Sequence, residues 1–208
     1  MSLPRHSAAL SGLGLVACLS GHALLGSVPA VGTNQWAAGP ALIEARAGAT
    51  ATSLGDGNVL VVGGRGASGP LASVELLTSS GAAVPVAPMS LARAEHTAAL
   101  VGDGGNVLVA GGTTVVATEE GTAEVVTGSV EVFDAAAAAW YPVGSLTHPR
   151  AGATAVALPE GRIAIVGGRD ASGPVLEIEI YDPAAGAFGV GGATSAPRAN
   201  AAVTAGLK

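Results

Sequence analysis

The sequence predicts an all-β protein built from repeated four-stranded antiparallel sheets. An apolar run that ends in a pair of glycines occurs three times in the 208-residue chain, at residues 58–64, 106–112 and 162–168. An arginine precedes each glycine pair by 17 or 18 positions, and a glutamate within an alternating apolar segment follows it. Recurrence at a spacing of roughly 48 residues is typical of repeat architectures in which each unit is one small sheet.

The first repeat shows how each element is predicted. Its strands are expected near residues 49–54, 58–63, 72–77 and 82–86. Asp56 and Gly57 stand between the first two, and this pair favours a tight hairpin because glycine accepts a positive φ. An aromatic residue marks the last strand of a repeat at Trp36, Trp140 and Phe188, and Ala83 takes that position in one copy.

A meander of this kind cannot bury both of its faces alone, so copies must stack, and radial stacking gives a β-propeller. We predict three complete blades at about residues 46–88, 93–144 and 150–192, with partial strands at 34–38 and 199–208. Closed rings generally need four or more blades. The expected ring is therefore incomplete. We expect a fragment of a longer propeller, with pairing of two such segments as the alternative.

Several landmarks together resemble kelch repeats. They are Arg-x-Gly-x-Thr, Asp-Gly before the apolar run, the glycine pair, Val-Glu-Val-Phe-Asp at 130–134, Ile-Glu-Ile-Tyr-Asp-Pro at 178–183, and the closing tryptophan. The resemblance covers nearly the whole chain from Trp36 to Lys208. It implies a kelch-type propeller that acts as a protein- or glycan-binding module.

Residues 1–30 have the pattern of an export signal with a linker. Arg5 precedes an uncharged segment of small and apolar residues. Cys18, the one cysteine of the chain, follows residues 15–17 in a pattern that resembles a bacterial lipobox and makes it a candidate for lipidation and membrane anchoring. Ordinary cleavage after residues 28–30 is the alternative. The predicted locations are secreted, periplasmic or outer-membrane lipoprotein.

Composition and spacing argue against several classes of function. The formal charge of -6 and the single lysine argue against a nucleic-acid partner. His96 and His148 have no second imidazole or cysteine at a ligand spacing, so no metal is predicted. Residues 64–69 match G-x-G-x-x-G, but Pro70 and a strand follow where a dinucleotide site needs a helix. We predict no cofactor and no assembled catalytic group.

Topology places most arginines on one face of the predicted propeller. These residues lie in loops between blades or after the second strand of a blade: Arg46, Arg93, Arg150, Arg198, Arg65 and Arg169. One interpretation is a basic mouth that binds carboxylated sugars or acidic partner surfaces. The ligand-binding candidates are then Arg65, Arg169, Arg93 and Arg150. The alternative is a structural role, in which the repeated arginines pair with Glu75, Glu131 and Glu179 or with backbone carbonyls.

The middle repeat carries an insertion. Glu131 follows Gly112 by 19 residues, whereas Glu75 follows Gly64 by 11. Residues 114–126 are expected to form a hairpin above the mouth, with Glu119, Glu120 and Glu124 as further ligand-binding candidates, because insertions in repeat proteins tend to gather on the binding face. The alternative is a solvated excursion without a partner.

The sequence therefore favours an exported binding module that recognises a protein or a glycan. A carbohydrate-active enzyme such as a kelch-type sugar epimerase, which would use an arginine and a glutamate at the mouth, is the alternative activity. The third hypothesis is a purely structural envelope protein.

Overall fold

The computed structural model describes residues 38–201. The predicted export signal with Cys18, the position of Trp36, and nearly all of the two partial strands predicted at 34–38 and 199–208 lie outside the described residues.

The described residues form β-strands joined by turns, one short 3-10 segment at Pro159–Gly161, and no α-helix. In chain order the strands are β1 (Thr50–Ser53), β2 (Val59–Val62), β3 (Arg65–Gly66), β4 (Gly69–Pro70), β5 (Val74–Leu77), β6 (Ala83–Val86), β7 (Thr97–Val101), β8 (Asn106–Ala110), β9 (Thr113–Thr118), β10 (Gly121–Val126), β11 (Ser129–Asp134), β12 (Ala139–Ser145), β13 (Thr154–Ala157), β14 (Ile163–Val166), β15 (Glu177–Asp182) and β16 (Ala187–Ala193). Over this part of the chain there is no helix long and apolar enough to span a membrane.

The strands assemble into three four-stranded antiparallel sheets, one from each repeat. Their orders are β1-β2-β5-β6, β7-β8-β11-β12 and β13-β14-β15-β16, and two small hairpins, β3–β4 and β9–β10, extend from the first and second repeats. The all-β class and the four-stranded antiparallel sheets are thus confirmed. The four strands predicted in the first repeat are present, each shifted by two residues or fewer at its ends.

The apolar run of the middle repeat is buried on both faces because β8 lies between the first and third sheets. In β8, Val107 and Val109 pack against Leu60 and Val62 of the first sheet. The alternate β8 residues, Leu108 and Ala110, pack against Ile163 and Ile165 of the third sheet. A strand covered on both faces needs no polar alternation, which explains why this run is continuously apolar.

The closing aromatic of a repeat packs on an aromatic of the strand beside it. Phe133 of β11 lies opposite Trp140 of β12, with ring centroids 5.2 Å apart. Tyr181 and Phe188 repeat the arrangement in the third sheet, again at 5.2 Å. These cross-strand pairs stabilise the pairing of the last two strands.

Each repeat contains one buried arginine–glutamate pair. The pairs are Arg46 with Glu75 at 2.6 Å, Arg93 with Glu131 at 2.7 Å, and Arg150 with Glu179 at 2.6 Å. Each arginine also donates to the carbonyl of the first glycine of the glycine pair in its own repeat. Each glutamate accepts a backbone N–H from the segment that enters the repeat. The structural pairing predicted for these arginines is confirmed.

The glycine pair connects one repeat to the next. The second glycine donates its N–H to the carbonyl of the following arginine, at 2.9 Å from Gly64 to Arg93 and at 2.8 Å from Gly112 to Arg150. A Cβ atom on Gly111 would lie 2.3 Å from the Arg150 carbonyl oxygen, and its φ is +67°. Only glycine fits this contact, because a side chain would collide with backbone that the adjoining sheet holds in place.

Candidate functional site

Four charged side chains form two exposed ion pairs, which we call the charge quartet: Arg65, Glu124, Arg169 and Glu95. Arg65 Nη2 lies 2.5 Å from Glu124 Oε1, and Arg169 Nη2 lies 2.6 Å from Glu95 Oε2. The four side chains are between 37% and 45% exposed. Arg65 belongs to the first repeat, Arg169 to the third, and both glutamates to the middle one, so the quartet exists only when the three sheets are stacked.

The two arginines are held by the same local backbone. Arg65 follows the first glycine pair and exchanges both backbone hydrogen bonds with Ala47, at 2.7 and 3.0 Å. Arg169 follows the third pair and does the same with Ala151, at 2.9 Å in each direction. The backbone beneath each guanidinium is therefore fixed while its side chain reaches towards solvent.

Glu124 reaches the quartet because the insertion of the middle repeat folds as the predicted hairpin. In β9–β10 the register pairs Glu124 with Val115 and Val126 with Thr113. Four of the six β9 residues are exposed, so the hairpin stands clear of the sheets. Glu119 and Glu120 occupy its exposed tip, apart from the quartet.

Glu95 occupies a backbone position that otherwise suits glycine. Its φ is +54°, and the matching positions of the neighbouring repeats are Gly48, Gly152 and Asn200, all with positive φ. Backbone hydrogen bonds join these four residues in series, from Glu95 to Gly48, from Gly152 to Glu95 and from Asn200 to Gly152. A glutamate in this conformation costs about 1 kcal/mol relative to glycine, which marks the position as a candidate for function.

Glu95 was not among the residues predicted from sequence. The signal for it is a break in the Arg-x-Gly-x-Thr motif, which holds at Gly48 and Gly152 but has Glu95 in the middle repeat. The same copy also has Thr113 where the other two have Arg65 and Arg169 after the glycine pair. The middle repeat thus departs from the pattern at every position that contributes to the quartet.

Within the quartet, the contact between Arg65 and Glu124 favours the ionised form of both partners. The hydrogen bond from Arg65 is the main cause that lowers the pKa of Glu124, and the nearby Thr113 hydroxyl and the charge of Arg169 act in the same direction. The hydrogen bond to Glu124 in turn raises the pKa of Arg65. Two cations and two anions leave the quartet neutral overall, so these arginines do not make it a basic surface.

A groove of about 520 Å³ opens beside the quartet. One wall is the end of β10, with Glu124, and the other is the loop that begins at Arg169. Its lining residues are Glu124, Val125, Val126, Pro149, Arg169, Asp170, Ala171 and Ser172. Four of the eight lining residues are aliphatic, three are charged and one is a serine.

The structure brings some of the predicted ligand-binding candidates together and separates others. Arg65, Arg169 and Glu124 meet in the quartet. Arg93 and Arg150 are 0% and 1% exposed and bond to Glu131 and Glu179, so they offer no donor to a ligand. Across residues 38–201, no group of three or more His, Cys, Asp or Glu side chains could hold a metal ion.

Comparison with known proteins supports the fold. No protein-family model matches the sequence, and no curated protein matches it either. A solved structure titled "Structure of YjhT" is similar to 71% of this chain, with a TM-score of 0.59 and 20% sequence identity. At this level of sequence identity, the similarity between the two proteins concerns the fold alone. The matched region is 46% of that chain, so this protein spans less than half the length of the solved structure.

We expect replacement of Glu95 by glycine to stabilise the protein. The change relieves a cost of about 1 kcal/mol at a positive-φ position and loses an exposed ion pair worth less than that, so the free energy of unfolding should rise by about 0.5 kcal/mol. Urea denaturation of the variant and the parent measures it. Glu95→Asn is the matched control because Asn200 already occupies the equivalent position. An unchanged or lower stability for Glu95→Gly would show that the glutamate is not strained.

Proposed function

We propose that the chain is an exported kelch-type propeller segment whose charge-quartet face binds a protein or glycan ligand. The repeated motifs support the propeller part of the proposal, as does the packing of β7 between β1 and β13, which makes the first strands of consecutive sheets neighbours. Export and anchoring through Cys18 are supported by the sequence pattern of residues 1–30 alone.

The observation that carries the binding role is the quartet itself. Ion pairs this exposed contribute about 0.2–1 kcal/mol each, so they are too weak to account for the stacking of the repeats. Both glutamates occur where the middle repeat departs from the pattern, one at a strained backbone position and one on an inserted hairpin. Charged groups placed against local preference, beside a groove, are typical of a binding site.

A carbohydrate-active enzyme is the second candidate, favoured by the arginine–glutamate pairs at the groove. Because Arg65 holds the pKa of Glu124 below its ordinary value, this carboxylate would serve as an acceptor of protons or hydrogen bonds and not as a general acid. Conversion of a bound acidic sugar into its epimer, followed by NMR, would distinguish an enzyme from a binding module.

The proposal predicts that ligand binding depends on both quartet arginines. The purified chain would be applied to an array of neutral and uronic-acid glycans and to immobilised acidic and zwitterionic peptides. In Arg65→Ala/Arg169→Ala, we expect affinity for every captured ligand to fall about tenfold or more, because charge-assisted hydrogen bonds are lost.

Arg162→Ala is the matched control for this experiment. Arg162 is an arginine of similar exposure, 39%, at the opposite end of β14 from Arg169. Its replacement should leave binding unchanged. Equal binding by the double variant and the parent would remove the quartet as the ligand site.

A further inference from the structure

The groove presents one anion and one cation that are not bonded to each other. Glu124 on one wall belongs to the pair with Arg65, and Arg169 on the other wall belongs to the pair with Glu95. The lining also includes the aliphatic side chains of Val125, Val126, Pro149 and Ala171. The groove therefore combines an anion on one wall, a cation on the other and aliphatic surface in its lining.

Both groove charges retain hydrogen-bonding capacity. The Arg65–Glu124 contact joins one guanidinium nitrogen to Oε1 of the glutamate, and the Arg169–Glu95 contact likewise uses only Nη2 of the arginine. A guanidinium has five N–H donors and a carboxylate about four acceptor positions, so most positions on Arg169 and Glu124 are open to a ligand. An incoming group need not break either ion pair.

Asp170 is the remaining charged group in the lining, and one of its two carboxylate oxygens is engaged by the backbone. Oδ1 of Asp170 accepts the backbone N–H groups of Ser172 and Gly173, at 2.7 and 2.9 Å, and so shapes the loop. Arg169 is the cation among the lining residues, and Glu124 is the carboxylate on the wall opposite to it.

We propose that this groove binds a zwitterionic ligand of the amino-acid or short-peptide class, with its carboxylate on Arg169, its ammonium group on Glu124, and an aliphatic side chain against the valines. The inference rests on the proposed binding function and narrows it to the peptide side. A purely anionic ligand would meet a neutral quartet and gain little net attraction. A sugar would find no aromatic ring among the groove's lining residues on which to stack.

Leucine and its blocked derivatives test the ligand class. Isothermal titration calorimetry of the full chain would compare leucine and leucyl-leucine, which carry both charges, with N-acetylleucine, which keeps only the carboxylate, and leucinamide, which keeps only the ammonium group. We expect at least one zwitterion to bind about tenfold more tightly than either blocked analogue.

Two variants test which ligand group binds to Glu124 and which binds to Arg169. Glu124→Gln should equalise the affinities for leucine and N-acetylleucine, since the ammonium group loses its acceptor. Arg169→Gln should equalise those for leucine and leucinamide. Both side chains are exposed, so the variants should fold, and the melting temperature checks this. Arg162→Gln is the control and should keep the full preference for the zwitterion.

The outcomes separate this inference from the function on which it rests. If the four probes bind alike, or none binds while array ligands are still captured through the quartet arginines, the zwitterion class is wrong and the binding function stands. If neither these probes nor any array ligand depends on the quartet, both fail.

Discussion

Replacing Arg93 by methionine should lower the free energy of unfolding by about 3–5 kcal/mol, because the change leaves Glu131 as an uncompensated charge in the interior. Both side chains are at most 1% exposed. Arg93 donates to the carbonyls of Gly111 and Ser129, to the Ser129 hydroxyl and to Glu131, at distances between 2.7 and 3.1 Å. Burial is the main cause that lowers the pKa of Arg93, and the charge of Glu131 opposes this shift. Removal of either partner therefore leaves the other as an unpaired buried charge.

Urea denaturation at neutral pH measures this loss of stability. Two further variants are compared with Arg93→Met. Arg65→Met breaks an exposed pair and should cost less than about 1 kcal/mol. Arg93→Met/Glu131→Leu removes both buried charges and should recover part of the loss; the carbonyls of Gly111 and Ser129 and the N–H of Ser90 still lose their partners. A loss for Arg93→Met no greater than that for Arg65→Met would mean that the buried pair does not hold the repeat together.

The three four-stranded sheets could be predicted because the same sequence pattern occurs in every repeat. The glycine pairs, the arginines and the strand glutamates recur in a fixed order, and the three buried ion pairs join residues of the same repeat, as Arg46 and Glu75 do. Hydrophobic pattern and turn chemistry then set the strand boundaries, which need only local information.

The quartet could not be predicted because its contacts have no periodic counterpart. Arg65 and Glu124 are 59 residues apart, and Arg169 and Glu95 are 74 apart, in different repeats. Topology indicated the face on which an arginine stands but not whether its side chain turns inward, as Arg93 does, or outward. The buried arginines turn inward to a strand glutamate of their own repeat, whereas the partners of Arg65 and Arg169 lie in another repeat.

The middle repeat also departs from the pattern at His96. This histidine predicts that the free energy of unfolding falls in acid. His96 stands where the other repeats have Ala49 and Ala153. It is 5% exposed, and its Nε2 lies 2.9 Å from the Thr50 hydroxyl across the first two repeats. Burial first, and then the charge of Arg93, lowers the pKa of His96 from 6.5 to about 3.

His96→Ala should therefore flatten the loss of stability on acidification. Between pH 6.5 and about pH 3, His96 is protonated in the unfolded chain and neutral in the folded chain. The free energy of unfolding thus falls as pH falls, by about 1.4 kcal/mol per pH unit, or about 3 kcal/mol by pH 4.5. The alanine variant lacks this contribution, so its stability should decline less over the same range, whatever the replacement costs at pH 7.

Urea denaturation at half-unit steps between pH 7 and 4.5 measures the difference between the two curves. Paired carboxylates also destabilise the protein in acid, but they are common to both chains and cancel in the comparison. Parallel curves for His96→Ala and the parent would show that His96 takes up a proton without unfolding the protein, and that the contact between the first two repeats adapts to a charged imidazole.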